Sequence, residues 1–226
     1  MDPNFDGFVE KRMHLQEHNR SGKYGQFAKR SFDLCVTLVV LTLLLPLLFF
    51  LMAGVRIKLG SPVFFLQSRI GLRGRAFRII KFRTMSDERD VHGNLLPDEQ
   101  RLTSFGNFLR RNSLDELPEL LNVVIGHMSL VGPRPLPVKY RERYSSTQWR
   151  RHEVVPGITG LAQISGRNAM TWEQKFKLDV WYVDNWSFWL DIKILIGTIS
   201  HLIRREGISH EGHATMPEFF SQDHDK

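Results

Sequence analysis

At 226 residues the chain can bury one good hydrophobic core with room for a smaller appendage. Its formal charge of +7 points to an anionic partner: nucleic acid, a phosphorylated small molecule or anionic lipid. The single cysteine, Cys35, excludes an internal disulfide framework and favours a reducing, cytoplasm-facing location.

In chain order, residues 1–28 read as a polar N-terminal arm, and residues 29–58 as a membrane helix. The stretch FDLCVTLVVLTLLLPLLFFLMAGV, Phe32 to Val55, carries one charge, Asp33, near its start. A helix needs about 20 apolar residues to cross a bilayer, and this run is too long and too far from the start for a secretory signal. Both flanks are basic: Lys23, Lys29 and Arg30 precede it, and Arg56, Lys58, Arg69, Arg73, Arg75 and Arg78 follow. Positive charge favours the cytoplasmic side, so a spanning helix must send one basic flank across. Pro46 removes a backbone donor and crowds the Thr42 carbonyl; Thr37 and Thr42 are the nearby hydroxyls. A helix that enters, bends at Pro46 and leaves by the same face reconciles these features. A kinked tilted span and a buried soluble helix are the alternatives. The C-terminal domain faces the cytoplasm in both membrane readings.

Gly60-Ser61-Pro62 reads as a turn, and VFFLQSRIG and FRIIKFRTM as two strands of a hairpin joined by LRGRA. SDERDVHGNLLPDEQ is a polar loop. LTSFGNFLRRNSLDELPELLNVVIG reads as two short helices, with Ser113 as N-cap and Glu116 as its capping-box partner. Leu117, Leu120, Leu121 and Val124 form the expected apolar face of the second. HEVVPGITGLAQISGR is a loop or short-strand region. TWEQKFKLDVWYVDNWSFWLDIKILIGTISHLIRREG is mostly helical. Its Trp181, Tyr182, Trp186, Phe188 and Trp189, near Lys193, Arg204 and Arg205, suit the headgroup level; ordinary core aromatics are the competing reading. Residues 207–226 are a polar, His-rich tail, expected to lack order. The expected fold class is α+β: a re-entrant membrane helix hairpin, then a small, mostly helical cytoplasmic catalytic domain over 59–206. That domain carries a short β-hairpin and interfacial amphipathic helices.

The chemistry concentrates in NSLDELPELLNVVIGHMSLVGPRP. Asp115 and Glu116 are adjacent acids near a helix start, where the macrodipole favours negative charge, and simple capping accounts for them equally well. Glu119 follows one turn on. Arg134 is clamped between Pro133 and Pro135, so its fork is presented at low entropic cost to phosphate or carboxylate oxygens. Lys81 and Arg83 in KFRTM, Arg110 and Arg111, and Arg167 in SGR add cations. Acids amid fixed cations suit phosphoryl chemistry, in which cations and a divalent metal offset diphosphate charge. A carboxylate attacking phosphorus would divide one transfer into two steps. The ligands on offer are oxygens, which suit Mg²⁺. No zinc-type Cys/His spacing occurs, and His127 reads as structural.

KFRTM, LDELPELLNVVIGHMSLVGPRP and PGITGLAQISGR, in that order, resemble the signature segments of the bacterial polyprenyl-phosphate phosphoglycosyl transferases, the monotopic bacterial sugar transferase family. The likeness runs from about Lys29 to about Arg205. It implies transfer of a phospho-sugar from a UDP-sugar to a polyprenyl phosphate such as undecaprenyl phosphate, with UMP released. That is the first membrane step in assembling an exopolysaccharide, O-antigen or glycoprotein glycan. It implies Asp115 as nucleophile through a covalent aspartyl-phosphosugar, Glu116 as its partner, and Mg²⁺ beside the pair on Asp115. Arg134 is implied to bind phosphate, Lys81, Arg110 and Arg167 to surround the nucleotide, and Asp191 to serve as a further substrate-side acid. The family's re-entrant helix falls on Phe32 to Val55, bent at Pro46. The implied partners are the UDP-sugar, polyprenyl phosphate and membrane lipid, not nucleic acid, and a homodimer is compatible. The implied location is the bacterial inner membrane with the site on the cytoplasmic face.

Two departures stand out. Leu45 precedes the membrane proline where the family often has Ser, leaving Thr42 as the substitute hydroxyl, and His127 stands where an acid is usual. The chain resembles the family's minimal catalytic form, without the extra N-terminal membrane helices of longer members. Among rivals, a membrane-bound phosphohydrolase of nucleotide-diphosphate or polyprenyl-phosphate substrates comes second. A membrane-anchored nucleic-acid binder using FLRRNSLDELPELL as a helix-turn-helix fragment fits poorly, because the helix that would read the groove is acidic.

Overall fold

A computed structural model describes residues 23–166, 170–204 and 219 of the chain. Its first element is one 36-residue helix, α1 (Lys23–Lys58), which starts within the segment expected to be the arm. The helix is long and apolar enough to cross a bilayer, and little of it is buried in protein. It runs unbroken through Pro46. The Thr42 hydroxyl donates to the Leu38 carbonyl at 2.8 Å, an i−4 contact that accompanies helix bending. Among the described residues the buried Thr37 hydroxyl has no partner.

α1 is also a wall of the domain. Before Pro46, Val36, Val40, Leu41 and Leu44 pack on a core of Leu120, Leu130, Val131, Leu161, Tyr182, Leu190 and Ile194. After it, Leu51 and Val55 join Phe82 and Leu109, flanked by Leu48 and Met52. Its basic start is tied in as well. Arg30 donates to the carbonyls of Val123 and Val124, the latter at 2.9 Å, and Lys29 pairs with Asp191. Asp33, buried, accepts the Ser129 hydroxyl at 2.7 Å.

The expected hairpin is present: β1 (Phe64–Ile70) pairs antiparallel with β2 (Ala76–Phe82), from Phe64 opposite Phe82 to Ile70 opposite Ala76. Strand alternation puts Phe77, Ile79 and Lys81 on one face of β2. Phe82 faces the other way, stacked on Phe64 with centroids 5.6 Å apart. The polar loop follows, and then α2 (Ser104–Arg111), capped by the Thr103 side chain accepting from the Gly106 amide. Gly106 is required by packing, since a Cβ there would fall 1.8 Å from the Thr84 carbonyl oxygen.

The acid pair lies on a single 3-10 turn, Leu114–Glu116, and α3 (Glu119–Ile125) begins at Pro118. This overturns the expected capping box. Ser113 takes a left-handed conformation, φ 53°, and caps nothing with its side chain; Glu116 is drawn to cations instead. The apolar face also differs. Glu119, Leu120, Asn122 and Val123 are buried, while Leu121 is exposed. Asn122 acts as a strand would, accepting from the Ile80 amide at 2.9 Å and donating to the Arg78 carbonyl at 2.8 Å. It thereby fixes α3 against the free edge of β2.

A second, two-stranded sheet was not anticipated as such: β3 (Ser129–Val131) pairs parallel with β4 (Gly157–Thr159). Two helices close the domain, α4 (Trp172–Asn185), with a Thr171/Gln174 capping box, and α5 (Phe188–Arg204). The aromatic cluster between them divides. Tyr182 is core, whereas Phe188 and Trp189 are exposed. The tail lies outside the described residues except for Phe219. That residue is buried among Leu136, Tyr140 and Phe176, contrary to an entirely unordered tail.

Candidate active site

β2, the 3-10 turn, α3 and the segment after β3 converge on one cluster of charge. Lys81 reaches from β2 with its Nζ 2.7 Å from Glu116 Oε1 and 3.1 Å from Glu119 Oε1. From the opposite side Arg134 grips the Glu116 carboxylate with two nitrogens, Nη2 to Oε1 and Nη1 to Oε2 at 3.4 Å. The Arg134 side chain is 41% exposed, so its outer edge remains open to an incoming anion. Asp115 is buried in the turn, and among the described residues no group hydrogen-bonds its carboxylate.

The electrostatics divide the acids by role. Burial is the strongest influence on Asp115 and raises its pKa; the Glu116 charge adds to this, and Lys81, Arg110 and Arg134 oppose it. Burial alone would raise Glu116 too, but Arg134 and Lys81 outweigh it and hold that carboxyl well below the usual range. Glu119, almost fully buried, is pushed up to about 7 by burial and by the Glu116 charge. Glu116 in turn raises the pKa of Arg134.

Lys81, Asp115, Glu116 and Arg134 thus lie together in one cluster. Arg110 sits at the margin: its Nε donates to Thr84 Oγ1 at 3.0 Å, and its charge acts on Asp115. Arg83, grouped with Lys81 from sequence, does different work. Its guanidinium donates to the carbonyls of Met85 at 3.0 Å, Ser61 at 2.8 Å and Leu59 at 2.7 Å, stapling the turn after α1 to the end of β2. Asp191 is also committed elsewhere. It accepts from Tyr182 Oη at 2.7 Å and Trp186 Nε1 at 3.0 Å and pairs with Lys29, so it joins α1 to α5. Arg167 lies outside the described residues. His127 is exposed, its ring 5.7 Å from that of Phe77.

Sequence reasoning passed over two members. Glu119 looks like an ordinary first-turn acid, yet it lies beneath Lys81. Arg69, counted only as flank charge, borders the cluster: burial first, then the nearby Arg134 charge, lower its pKa to about 10. Period-2 alternation in FFLQSRI was the available signal for Arg69, since it shares a face of β1 with Phe65 and Gln67.

Among the described residues no group of three or more acids, histidines or cysteines could cage a metal. Mg²⁺ is commonly held by one or two carboxylates completed by substrate phosphates and water, and Asp115 offers a carboxylate not claimed by a hydrogen bond. An ion shared with a substrate would find one such carboxylate here, that of Asp115.

Known proteins resemble this chain along most of its length. It is 57% identical over 191 residues to the uncharacterized sugar transferase EpsL of Bacillus subtilis strain 168, covering 84% of this chain and 95% of that protein. It is 40% identical over 218 residues to the UDP-galactose-lipid carrier transferase of Erwinia amylovora. It is 39% identical over 181 residues to the UDP-glucose:undecaprenyl-phosphate glucose-1-phosphate transferase of Escherichia coli strain K12. These matches cover 88% and 76% of this chain but only 46% and 39% of the two longer relatives. The bacterial sugar transferase family model matches residues 24–205, a span that takes in every element building the acid–cation cluster. The chain belongs to the bacterial sugar transferase family.

Proposed function

We propose that the protein transfers a phospho-sugar from a UDP-sugar to a polyprenyl phosphate such as undecaprenyl phosphate, through a covalent intermediate on Asp115. The carrying observation is the buried Asp115 carboxylate, free of hydrogen bonds among the described residues and beside the Lys81–Glu116–Arg134 set. An Asp115 oxygen attacks the sugar-bearing phosphorus. The bond from that phosphorus to the bridging oxygen breaks, and UMP leaves with the electron pair. An oxygen of the lipid phosphate then attacks the same phosphorus, the aspartyl bond breaks, and a polyprenyl-diphosphate sugar forms with Asp115 restored.

Each step needs Asp115 ionised and negative charge offset. Lys81, Arg110 and Arg134 oppose the effect of burial on Asp115. Glu116 keeps Arg134 and Lys81 in place between turnovers, so that the cations are arranged before the diphosphate arrives. Mg²⁺, held by Asp115 and the substrate, would supply further charge neutralisation.

The lipid acceptor requires the site at a membrane surface. α1 is read as re-entrant, in the bacterial inner membrane with the domain on the cytoplasmic face. The docking of α1 on one domain both before and after Pro46 supports that reading, because a perpendicular span would carry the domain's polar surface into hydrocarbon.

The test uses the full chain with undecaprenyl phosphate and either UDP-galactose or UDP-glucose. UMP release should require the lipid beyond a single turnover, and Asp115→Asn should abolish both release and any covalent phospho-sugar adduct by mass spectrometry. Sustained lipid-independent release would identify a phosphohydrolase, and an adduct on another residue would remove Asp115 from its role.

A further inference from the structure

The segment that presents Arg134 has prolines at 133 and 135, which bring no N–H. It is held instead through its carbonyls. Pro133 O accepts from the Gly157 amide at 3.1 Å, and Leu136 O from the Ile70 amide at 3.0 Å. Between them, two arginine side chains hold the oxygens that the strands do not reach. Pro135 O accepts from Arg69 Nη1 at 3.3 Å, and Arg134 O from Arg151 Nη2 at 2.7 Å. Gly132 lets this segment lie close to its neighbour, since a Cβ there would fall 2.5 Å from the Val155 carbonyl oxygen.

Arg151 is a costly way to hold one carbonyl. It is 3% exposed. Its Nε and Nη2 lie 3.0 and 2.7 Å from Asp179 Oδ2, and its guanidinium carbon is 5.5 Å from the centre of the Phe176 ring. Two charges have been taken out of water, and well-packed apolar side chains often serve stability as well or better in such places. A buried pair of this kind is weak evidence of a stabilising role. The geometry offers another reason: one rigid fork spans the Asp179 carboxylate and the Arg134 carbonyl together, which a lysine ammonium on a flexible stem does less well.

We propose that Arg151, aimed by Asp179, is a positioning residue that sets the orientation of the Arg134 peptide, and through it the direction in which the Arg134 guanidinium meets the donor's diphosphate. The inference rests on the assignment of Arg134 to the diphosphate under Proposed function. It assigns no contact between Arg151 and substrate.

The experiment compares the full-length wild type, Arg134→Ala, Arg151→Met/Asp179→Leu and the triple variant, in nanodiscs, by melting temperature and by kcat and KM for the UDP-sugar. The apolar double exchange should melt within a few degrees of wild type, while kcat falls about 10²-fold, the scale of an ångström-sized misplacement. In the Arg134→Ala background the same exchange should cost less than about 3-fold, because the group being positioned is gone. Equal losses in both backgrounds would show a general structural role and overturn the proposal, as would near-normal kcat in a well-folded double variant. Should the apolar pair fail to fold, Arg151→Lys carries the same comparison: it keeps a charge opposite Asp179, and a loss confined to the Arg134 background supports the proposal while equal losses overturn it. An Arg134→Ala enzyme of normal kcat would instead remove the diphosphate role itself, an outcome distinct from failure of the positioning role alone.

Discussion

Glu119 shows how one side chain couples fold and site. Its carboxyl titrates near 7 in the folded chain against an ordinary value of 4.5. The folded state therefore binds more protons than the unfolded state between those values, and stability falls as pH rises through about 4.5 to 7. Glu119→Gln removes the titration. The variant should melt higher than wild type at pH 8 and show a smaller gain, or none, at pH 5; melting curves at the two pH values check this. Nothing in ELPELL marks Glu119 for burial, because Lys81, its cation, lies 38 positions back on another element. The neighbouring acids were easier to read. Asp115 and Glu116 stand side by side and Arg134 sits between prolines, so local spacing carried the signal. Arg83 misled for the opposite reason: KFRTM looks like one cationic unit, but β2 ends at Phe82, and Arg83 just beyond it turns to the carbonyls of Leu59, Ser61 and Met85.

At the scale of elements, the hairpin was legible because both strands are long and apolar with turn residues between them. The three-residue strands β3 and β4 were not, since so short a run has no periodicity to detect. α3 was found, but its buried face was misjudged. Asn122 replaces an apolar residue there because the free edge of β2 needs a donor and an acceptor, and an amide side chain supplies both. The C-terminal end of α3 is completed by Arg30 from α1, a cation at the negative end of a helix bonded to its last carbonyls. Arg30→Ala should destabilise the protein by about 1–2 kcal/mol, a fall of a few degrees in melting temperature for a domain this size. Hydrogen exchange should quicken first in the last turn of α3. Unchanged exchange there would mean that α1 docks without help from this contact.

For the whole molecule, composition marked out a helix long and apolar enough to cross a bilayer, and a basic surface, but overstated how much charge is left for lipid. Lys29 and Arg30 look like a cytoplasmic flank in sequence, yet both are engaged by the protein itself. Topology therefore rests more on the docking of α1 than on counting cations. A single cysteine placed near residue 10, in a Cys35→Ser background because Cys35 is exposed, should react only with reagent admitted to the cytoplasmic side. Labelling from the periplasm would establish a span.

The role of α1 as a wall of the domain bears on any attempt to obtain a water-soluble fragment. Cutting the chain after Lys58 would strip cover from Phe82, Leu109, Leu120 and Leu130 at once, exposing grease that no detergent belt is placed to shield. A fragment beginning at residue 59 should accumulate as insoluble aggregate, whereas one that keeps α1 should come out of membranes in detergent as a folded particle. Anchor and enzyme here are not separable parts joined by a linker, and purification will succeed or fail on that account.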